Sequence, residues 1–504
     1  MEELDLLCLN LPYERPYILK NFSRSSRSPC VTRGGTIYEP LYLAMAVAFA
    51  QREGYKARII DAVADDISFE QVKRIVKKTE PRLIVIDTST PSIYNDTSMA
   101  EELKSEFPKS EVILVGRHVT YAPRETLTRF CKRVKIVARN YFYQQVLDLL
   151  EGKELRKIKG ISYREDGKVK HNPPADMPKG EFPFVSKVYK EQLDLRKYFY
   201  ASTKYPYLLM NWQWGCRWGC SFCSEYLKFR YFARPIENVI EELKYIEREL
   251  PWVKSVLWDD PTFVMDEGKV QELCNEIIDN GIRLSFGCAT RANISLETLK
   301  IMKKANFNDC FHIGIESVNQ ENLDKYIHKG MVVEEEVEYL KRCKEVGIKN
   351  HGCFIIGFPA DTHETLRMGL DYIKRLPALD SIQVFPLIPT PFEDIFDKES
   401  RGTAWELVTK NNYLIPEVYD KNGRIDYTKW LYPDGSYRCV VTYPHLTNKD
   451  IENWIEIYYR EFYFRPSYII YKAWQSLLSY SELQRNWRGF KTMLKRSLLT
   501  RRGF

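Results

Sequence analysis

No run of about 18 consecutive apolar residues occurs in this 504-residue chain, so hydropathy offers no membrane-spanning helix. The opening residues, MEELDLLCLN, lack both a basic n-region and a signal-like apolar core, and a cytoplasmic protein is expected. The twelve cysteines show no disulfide-framework spacing, which in so long a chain argues for reduced thiols. No recognised nucleic-acid module is present either, so nucleic acid is not an expected partner. What remains is ordinary globular composition, 44% hydrophobic and 28% charged, in a chain long enough for roughly two to four domains.

Acidic residues are also missing from the last stretch. From Arg485 onward there are seven basic residues (Arg485, Arg488, Lys491, Lys495, Arg496, Arg501 and Arg502) and no acidic ones, which matches the net charge of +7 for the whole chain. Trp487, Phe490, Leu494 and Leu498 recur among them at three- and four-residue steps. This pattern fits either a solvated terminal helix or peripheral contact with the inner membrane face.

Residues 1–150 alternate strand-like and helix-like runs: LDLLCLNLP, YKARIIDA, RLIVIDTST, SEVILVG and KIVA read as strands with helices between them. Such alternation implies a Rossmann-like, doubly wound α/β domain whose ligands sit at the C-terminal strand ends. Those ends carry Asp87, Thr88, Ser89 and Thr90, then Gly116, Arg117, His118, Val119 and Thr120. Residues 151–200 hold the turn signals of REDGKVKHNPPADMPKGEFP and read as a linker. Over 201–395 six further strand–helix units follow, from LLMNWQW to SIQVFPLI, as expected for a partial (β/α)6 TIM-like barrel. Residues 396–504 are rich in Tyr, Trp and Arg and are expected to form a mainly helical C-terminal domain.

Just past the first strand of the barrel pattern stands WGCRWGCSFC, with Cys216, Cys220 and Cys223 in a CxxxCxxC spacing. A structural zinc site normally uses four Cys or His ligands, and no second CxxC or HxxxH pair supplies the fourth. A 4Fe-4S cubane held by three cysteines keeps one iron open to another ligand. The missing fourth cysteine therefore points to a reagent rather than a strut.

With these residues at the barrel rim, the chain resembles the radical S-adenosylmethionine (SAM) enzymes. The resemblance implies that SAM chelates the open iron and is cleaved reductively to a 5′-deoxyadenosyl radical. It also implies SAM contacts for Phe222, between the last two cysteines, for Asp259 and Asp260 in LWDDPTF, for Arg291 in CATRAN and for Glu316 in GIES. RGGTIYEPLYLA, TSTPSIYND, GIESVNQENLDKYIHKG and HGCFIIGFPADTHET extend the likeness to the cobalamin-binding-domain branch, with its hopanoid-associated and Mg-protoporphyrin ester cyclase-like members. That branch places cobalamin near Thr88, Ser89, Thr90, Gly116 and His118. The chain departs from it in reading Gly116-Arg117-His118 for Gly-Gly-x-His and Asn140-Tyr141 for Gly-Glu, and in lacking DxHxxG. No histidine is thus expected as a lower axial ligand: either cobalamin binds without one, or the domain has kept the fold and lost the cofactor.

Relatives act on hopanoids, tetrapyrroles and archaeal tetraether lipids. Together with the basic tail this leads to the expectation of carbon–carbon bond formation on a membrane lipid, by ring closure in an isoprenoid chain. Methylation through cobalamin and headgroup or tetrapyrrole cyclisation are the alternatives. A ferredoxin or flavodoxin is the electron donor that the resemblance implies. No catalytic residue beyond the cofactor ligands is singled out; Cys288, Cys310 and Cys353 are candidate hydrogen donors, although buried cysteine is more often core. Replacing Cys220 by alanine should abolish deoxyadenosine formation from SAM under reducing conditions, and unchanged turnover would remove the cluster assignment.

Overall fold

The computed structural model describes residues 3–25, 28–225, 231–393, 402–478, 483, 486 and 487. The basic tail lies almost wholly outside the described residues.

The first sheet contains the five expected parallel strands: β1 (Leu6–Asn10), β2 (Ala57–Asp61), β3 (Leu83–Thr88), β4 (Glu111–Gly116) and β5 (Ile136–Ala138), in spatial order 2-1-3-4-5. Both faces are covered, which explains their near-continuous apolar runs. The helix Leu41–Arg52 is buried along most of its length. It packs on β1 and β2 and against the helices Tyr143–Leu150 and Val185–Gln192. Ser68 starts the helix Phe69–Thr79 with a capping box to Gln71.

The sheet does not stop at residue 150. Strands β6 (Ile161–Glu165) and β7 (Lys168–His171) form a hairpin that continues it in antiparallel sense beyond β5. The turn is Asp166-Gly167, both residues at positive φ, the pairing favoured by tight hairpins. The expected linker is therefore partly sheet: its turn signal belonged to a hairpin.

The second sheet is the six-stranded parallel barrel wall, running in sequence order through β8 (Tyr207–Met210), β11 (Ser255–Trp258), β12 (Ser285–Thr290), β13 (Phe311–Glu316), β14 (Asn350–Ile356) and β15 (Leu379–Pro386). Between β8 and β11, the short strands β9 (Gln213–Trp214) and β10 (Phe232–Ala233) pair antiparallel and clasp the base of the cysteine loop. The wall is open between β8 and β15. Along the free edge of β15 lies the helix Asn448–Tyr463, whose tyrosines take the place of a strand. The Tyr463 hydroxyl accepts from the Ile382 N–H (2.8 Å) and donates to the Ile382 carbonyl (2.7 Å), while the Tyr459 hydroxyl accepts from the Val384 N–H (3.0 Å).

The C-terminal region is helical at Ala404–Lys410, Asn448–Tyr463 and Pro466–Leu478. Between the first two helices it runs as turns and short 3-10 segments that reach the first domain, where Tyr427 donates to Glu125 (2.8 Å) and Arg129 to the Ile425 carbonyl (2.8 Å). It contributes to the same continuous apolar core as both sheets.

Replacing Tyr463 by phenylalanine should strand both backbone groups of Ile382 and lower stability by about 1–3 kcal/mol in a denaturant titration.

Candidate active site between the two sheets

The C-terminal ends of both sheets face one another across a cavity that opens to solvent. Its walls include Asn10, Asp61, Asp87, Gly116, Asn140 and Tyr141 from the ends of the first-domain strands, and Leu209 and Asp259 from the barrel. In an order of 2-1-3-4-5, the chain reverses direction between β1 and β3, where ligands of open parallel sheets bind. Gly116 is at φ +103°, and a Cβ there would lie 2.2 Å from the Thr88 carbonyl oxygen, so a side chain would break this corner.

The cavity holds buried carboxylates. Burial pushes Asp87 up to about 7, against the opposing pull of Arg24. Asp61 is also raised by burial, although it accepts hydrogen bonds from Asn10 (2.7 Å) and Tyr198 (2.9 Å). Glu39 is held well above the usual carboxylate range by burial, against the pull of the Tyr207 hydroxyl. Arg24, fully enclosed, is paired with Asp96 at 2.6 Å and donates to the Leu11 carbonyl.

Beside this cavity, Gly215, at φ +81°, turns the chain out of β9 into the cysteine loop. Cys216, Cys220 and Cys223 are half-buried free thiols. Burial pushes the Cys223 thiol up, and the nearby Cys220 and Cys216 push it the same way. Among the described residues, no group of His, Cys, Asp and Glu side chains converges as ligands of a single ion would. Three thiolates that each hold a different iron of a cubane need not converge in that way. The donor set is all sulfur, which suits an iron–sulfur cluster.

The loop is held at both ends by the first domain. Arg117, directly after β4, is ion-paired with Glu225, two residues beyond Cys223. Tyr141, after β5, donates to Glu225 (2.9 Å) and accepts from the Gly215 N–H (3.4 Å). The Arg117 guanidinium lies 5.8 Å and 5.9 Å from the ring centres of Tyr42 and Tyr141. Arg117 and Tyr141 also line the cavity, so one set of side chains touches both sites.

Arg291 and Glu316 come together beside Cys220, joined there by Lys329, whose charge opposes the upward push of burial on that thiol. Lys329 is 3.5 Å from Glu316 and, though buried, donates to the Gly314 carbonyl. Arg291 lies over the Trp218 ring at 4.1 Å and donates to the Lys329 carbonyl. Glu336 stands behind them, pushed up to about 8 by burial. Phe222 is half-buried against the core.

The two adjacent aspartates part company. Asp259 faces the cavity between the sheets. Asp260 turns inward and accepts from the backbone N–H groups of Trp212 (2.9 Å) and Gln213 (3.2 Å), fixing the approach to the cysteine loop.

Of the residues named for cobalamin, only Gly116 is in the cavity wall. Thr88 donates to the Val115 carbonyl, and Ser89 bonds Ser92, which donates to Asp96. His118 is enclosed against Phe130 and Tyr427, 3.3 Å from the Thr90 hydroxyl, and burial pushes its imidazole down to about 3. Among the described residues that line the cavity there is no histidine. Lys329 and Glu39 stand inside HKG and TIYEP, segments that the sequence had already marked, whereas nothing local marks Arg117, Tyr141 or Glu225 as partners.

The family model of the radical SAM superfamily matches residues 210–373, and that of the B12 binding domain matches residues 28–139. An uncharacterized methyltransferase of Pyrococcus horikoshii is 30% identical over 446 residues, spanning 86% of this chain and 90% of the relative. The chain belongs to the radical SAM superfamily, in its cobalamin-binding branch. The anaerobic magnesium-protoporphyrin IX monomethyl ester cyclase of Rubrivivax gelatinosus is 25% identical, covering 75% of this chain and 69% of the relative. The cobalamin-dependent SAM radical enzyme OxsB, solved with aqua-cobalamin, shares the fold at a TM-score of 0.66 and 16% identity, over 97% of this chain and 72% of OxsB.

The cofactors of this radical SAM enzyme are therefore a 4Fe-4S cluster, SAM and cobalamin. The residues lining the cavity suit the last: Glu39 and Asp87 are carboxyl acceptors for amide donors, and Gly116 puts no side chain into the wall. The expected preference for ring closure over methylation does not carry through, since the relative at 30% identity is called a methyltransferase. Among the described residues no helix is long and apolar enough to cross a membrane.

Replacing Arg117 by alanine leaves Glu225 as a largely buried, uncompensated charge, a change that typically costs about 3–5 kcal/mol. The expected result is reduced iron and sulfide content after anaerobic reconstitution, with the first domain still folded by circular dichroism.

Proposed function

We propose that this enzyme forms a carbon–carbon bond at an unactivated carbon by methyl transfer, with a hydrophobic lipid as substrate. The observation that carries this reading is the shared wall: Arg117 and Tyr141 border both the cavity that fits cobalamin and the cysteine loop. When bound, the cluster supplies the electron that cleaves SAM, and cobalamin supplies a methyl group. The chain's own contribution is placement. Arg291, Glu316 and Lys329 line the rim beside Cys220 for the SAM end, and Asp259 faces the cobalamin side.

A lipid substrate is supported by the last described helix, where Ile469, Ile470, Trp474 and Leu477 are exposed, from 51% to 82% of their surface. In sequence the basic tail follows soon after this helix, a composition suited to peripheral contact with an anionic membrane face. Ring closure in an isoprenoid chain is the second reading, favoured by the likeness to a cyclase. A ferredoxin or flavodoxin would deliver the electrons.

Mass spectrometry of an anaerobic reaction with a tetraether lipid extract separates the two. Methyl transfer should give deoxyadenosine and S-adenosylhomocysteine in step, with a lipid heavier by one methylene. Deoxyadenosine alone, with a lipid lighter by two hydrogens, would replace methyl transfer by ring closure.

A further inference from the structure

The inner face of the barrel wall departs from the usual pattern. Closed barrels of this kind fill their interior with bulky branched side chains. Here, Tyr339 on the outer helix Val333–Val346 donates to the Asn350 side chain at 3.1 Å, so the even-numbered residues of β14 face outward. His351, Cys353 and Ile355 then face inward, and each is half-buried while its strand neighbours are buried. Ser381, Gln383 and Phe385 repeat this alternation on β15. Inward side chains more accessible than outward ones mark a lumen with space in it.

Register sorts the lumen into layers. His312 pairs with His351, and His351 with Ser381; one step nearer the rim, Gly314 pairs with Cys353 and Cys353 with Gln383. Registered partners in a parallel sheet project to the same side, so His312, His351 and Ser381 share a floor. His351 Nδ1 is 2.7 Å from the Ser381 hydroxyl, and its Nε2 is 3.5 Å from Gln383 Oε1. His312 Nδ1 is 3.0 Å from the Tyr200 hydroxyl, and the two imidazole rings are 5.3 Å apart. Beneath them, Asp309 closes the barrel by accepting from Ser255 and Ser285.

This floor is lined by polar side chains. Burial holds the His351 imidazole down to about 4, so it is neutral at neutral pH. Asp380, the carboxylate that acts on His351, is tied to Lys472 at 2.7 Å. An ion brought here would lose its hydration beside a neutral His351, at a cost of several kcal/mol, whereas an uncharged donor or acceptor would exchange water for the floor's hydrogen bonds.

We infer that this floor is a substrate subsite for an uncharged hydrogen-bonding group, a hydroxyl, carbonyl or amide, selected by Tyr200, His312, His351, Ser381 and Gln383. The substrate stands along the barrel axis, polar end on the floor and reacting carbon toward the cysteine loop. This deepens the proposed function and rests on it only for the direction of the reacting carbon.

Cys353, one layer above, reports occupancy. The test is iodoacetamide alkylation of the cofactor-loaded enzyme, with Cys353 followed by peptide mass spectrometry. The probes share one alkyl chain and differ in head group: octanol, octanamide, octanoate and octylammonium. Octanol and octanamide should slow Cys353 alkylation by roughly tenfold at saturation, and the two ions should not. His351→Phe and Gln383→Leu should remove that protection while cluster and cobalamin absorbance persist; Ser381→Ala, a smaller change, serves if either variant fails to load its cofactors. Equal protection by octanoate or octylammonium, protection by none of the four, or protection that survives the variants overturns the subsite. Protection without deoxyadenosine formation from any lipid would instead count against the proposed reaction and leave the subsite standing.

Discussion

The ion pair between Arg117 and Glu225 is the contact on which the rest of this site depends. It joins the end of β4 in the first sheet to the far side of the cysteine loop of the second, and Tyr141 reinforces it from β5. The loop carries little secondary structure of its own beyond the two-residue pairing at its base. Its position is therefore set from outside, by the domain that fits cobalamin. Because the same side chains border the cavity, filling the cavity and ordering the loop are linked, and linkage runs in both directions.

The electrostatics of the cavity would be unfavourable in an ordinary core. Glu39, Asp61 and Asp87 are all raised by burial, and only part of that penalty is offset by Arg24, Asn10 and Tyr198. Carboxylates gathered in a crevice at strand ends are a common mark of a functional site, where stability is given up for chemistry. The rim follows the same logic, with Glu316 and Glu336 raised by burial and Lys329 and Arg291 drawing them back.

A wall of six strands, rather than a closed ring of eight, leaves an edge and a lumen, and both are managed. The edge of β15 is satisfied by tyrosine hydroxyls from the helix Asn448–Tyr463, which block further strand pairing. The lumen stays partly open because its inward positions carry small or polar residues, among them Gly314, Ser381 and Gln383.

Much of this architecture was legible in the sequence. Apolar runs at strand spacing, separated by amphipathic helices, produced both parallel sheets, because burial of both faces writes itself into consecutive residues. The CxxxCxxC spacing marked the cluster loop, since one short loop must carry all three sulfurs. The hairpin Ile161–His171 was missed because an Asp-Gly turn is the same in a linker and in a sheet until its flanking strands find a partner in β5. Asp259 and Asp260 are chemically alike and adjacent, yet one faces the cavity and the other holds backbone N–H groups, a difference of strand-end geometry. The pairing of Arg117 with Glu225, over a hundred positions apart, and the layer of His312, His351 and Ser381 come from register and domain packing alone. Local pattern determined the elements and the cluster ligands; which side chains meet was decided only when two sheets were brought end to end.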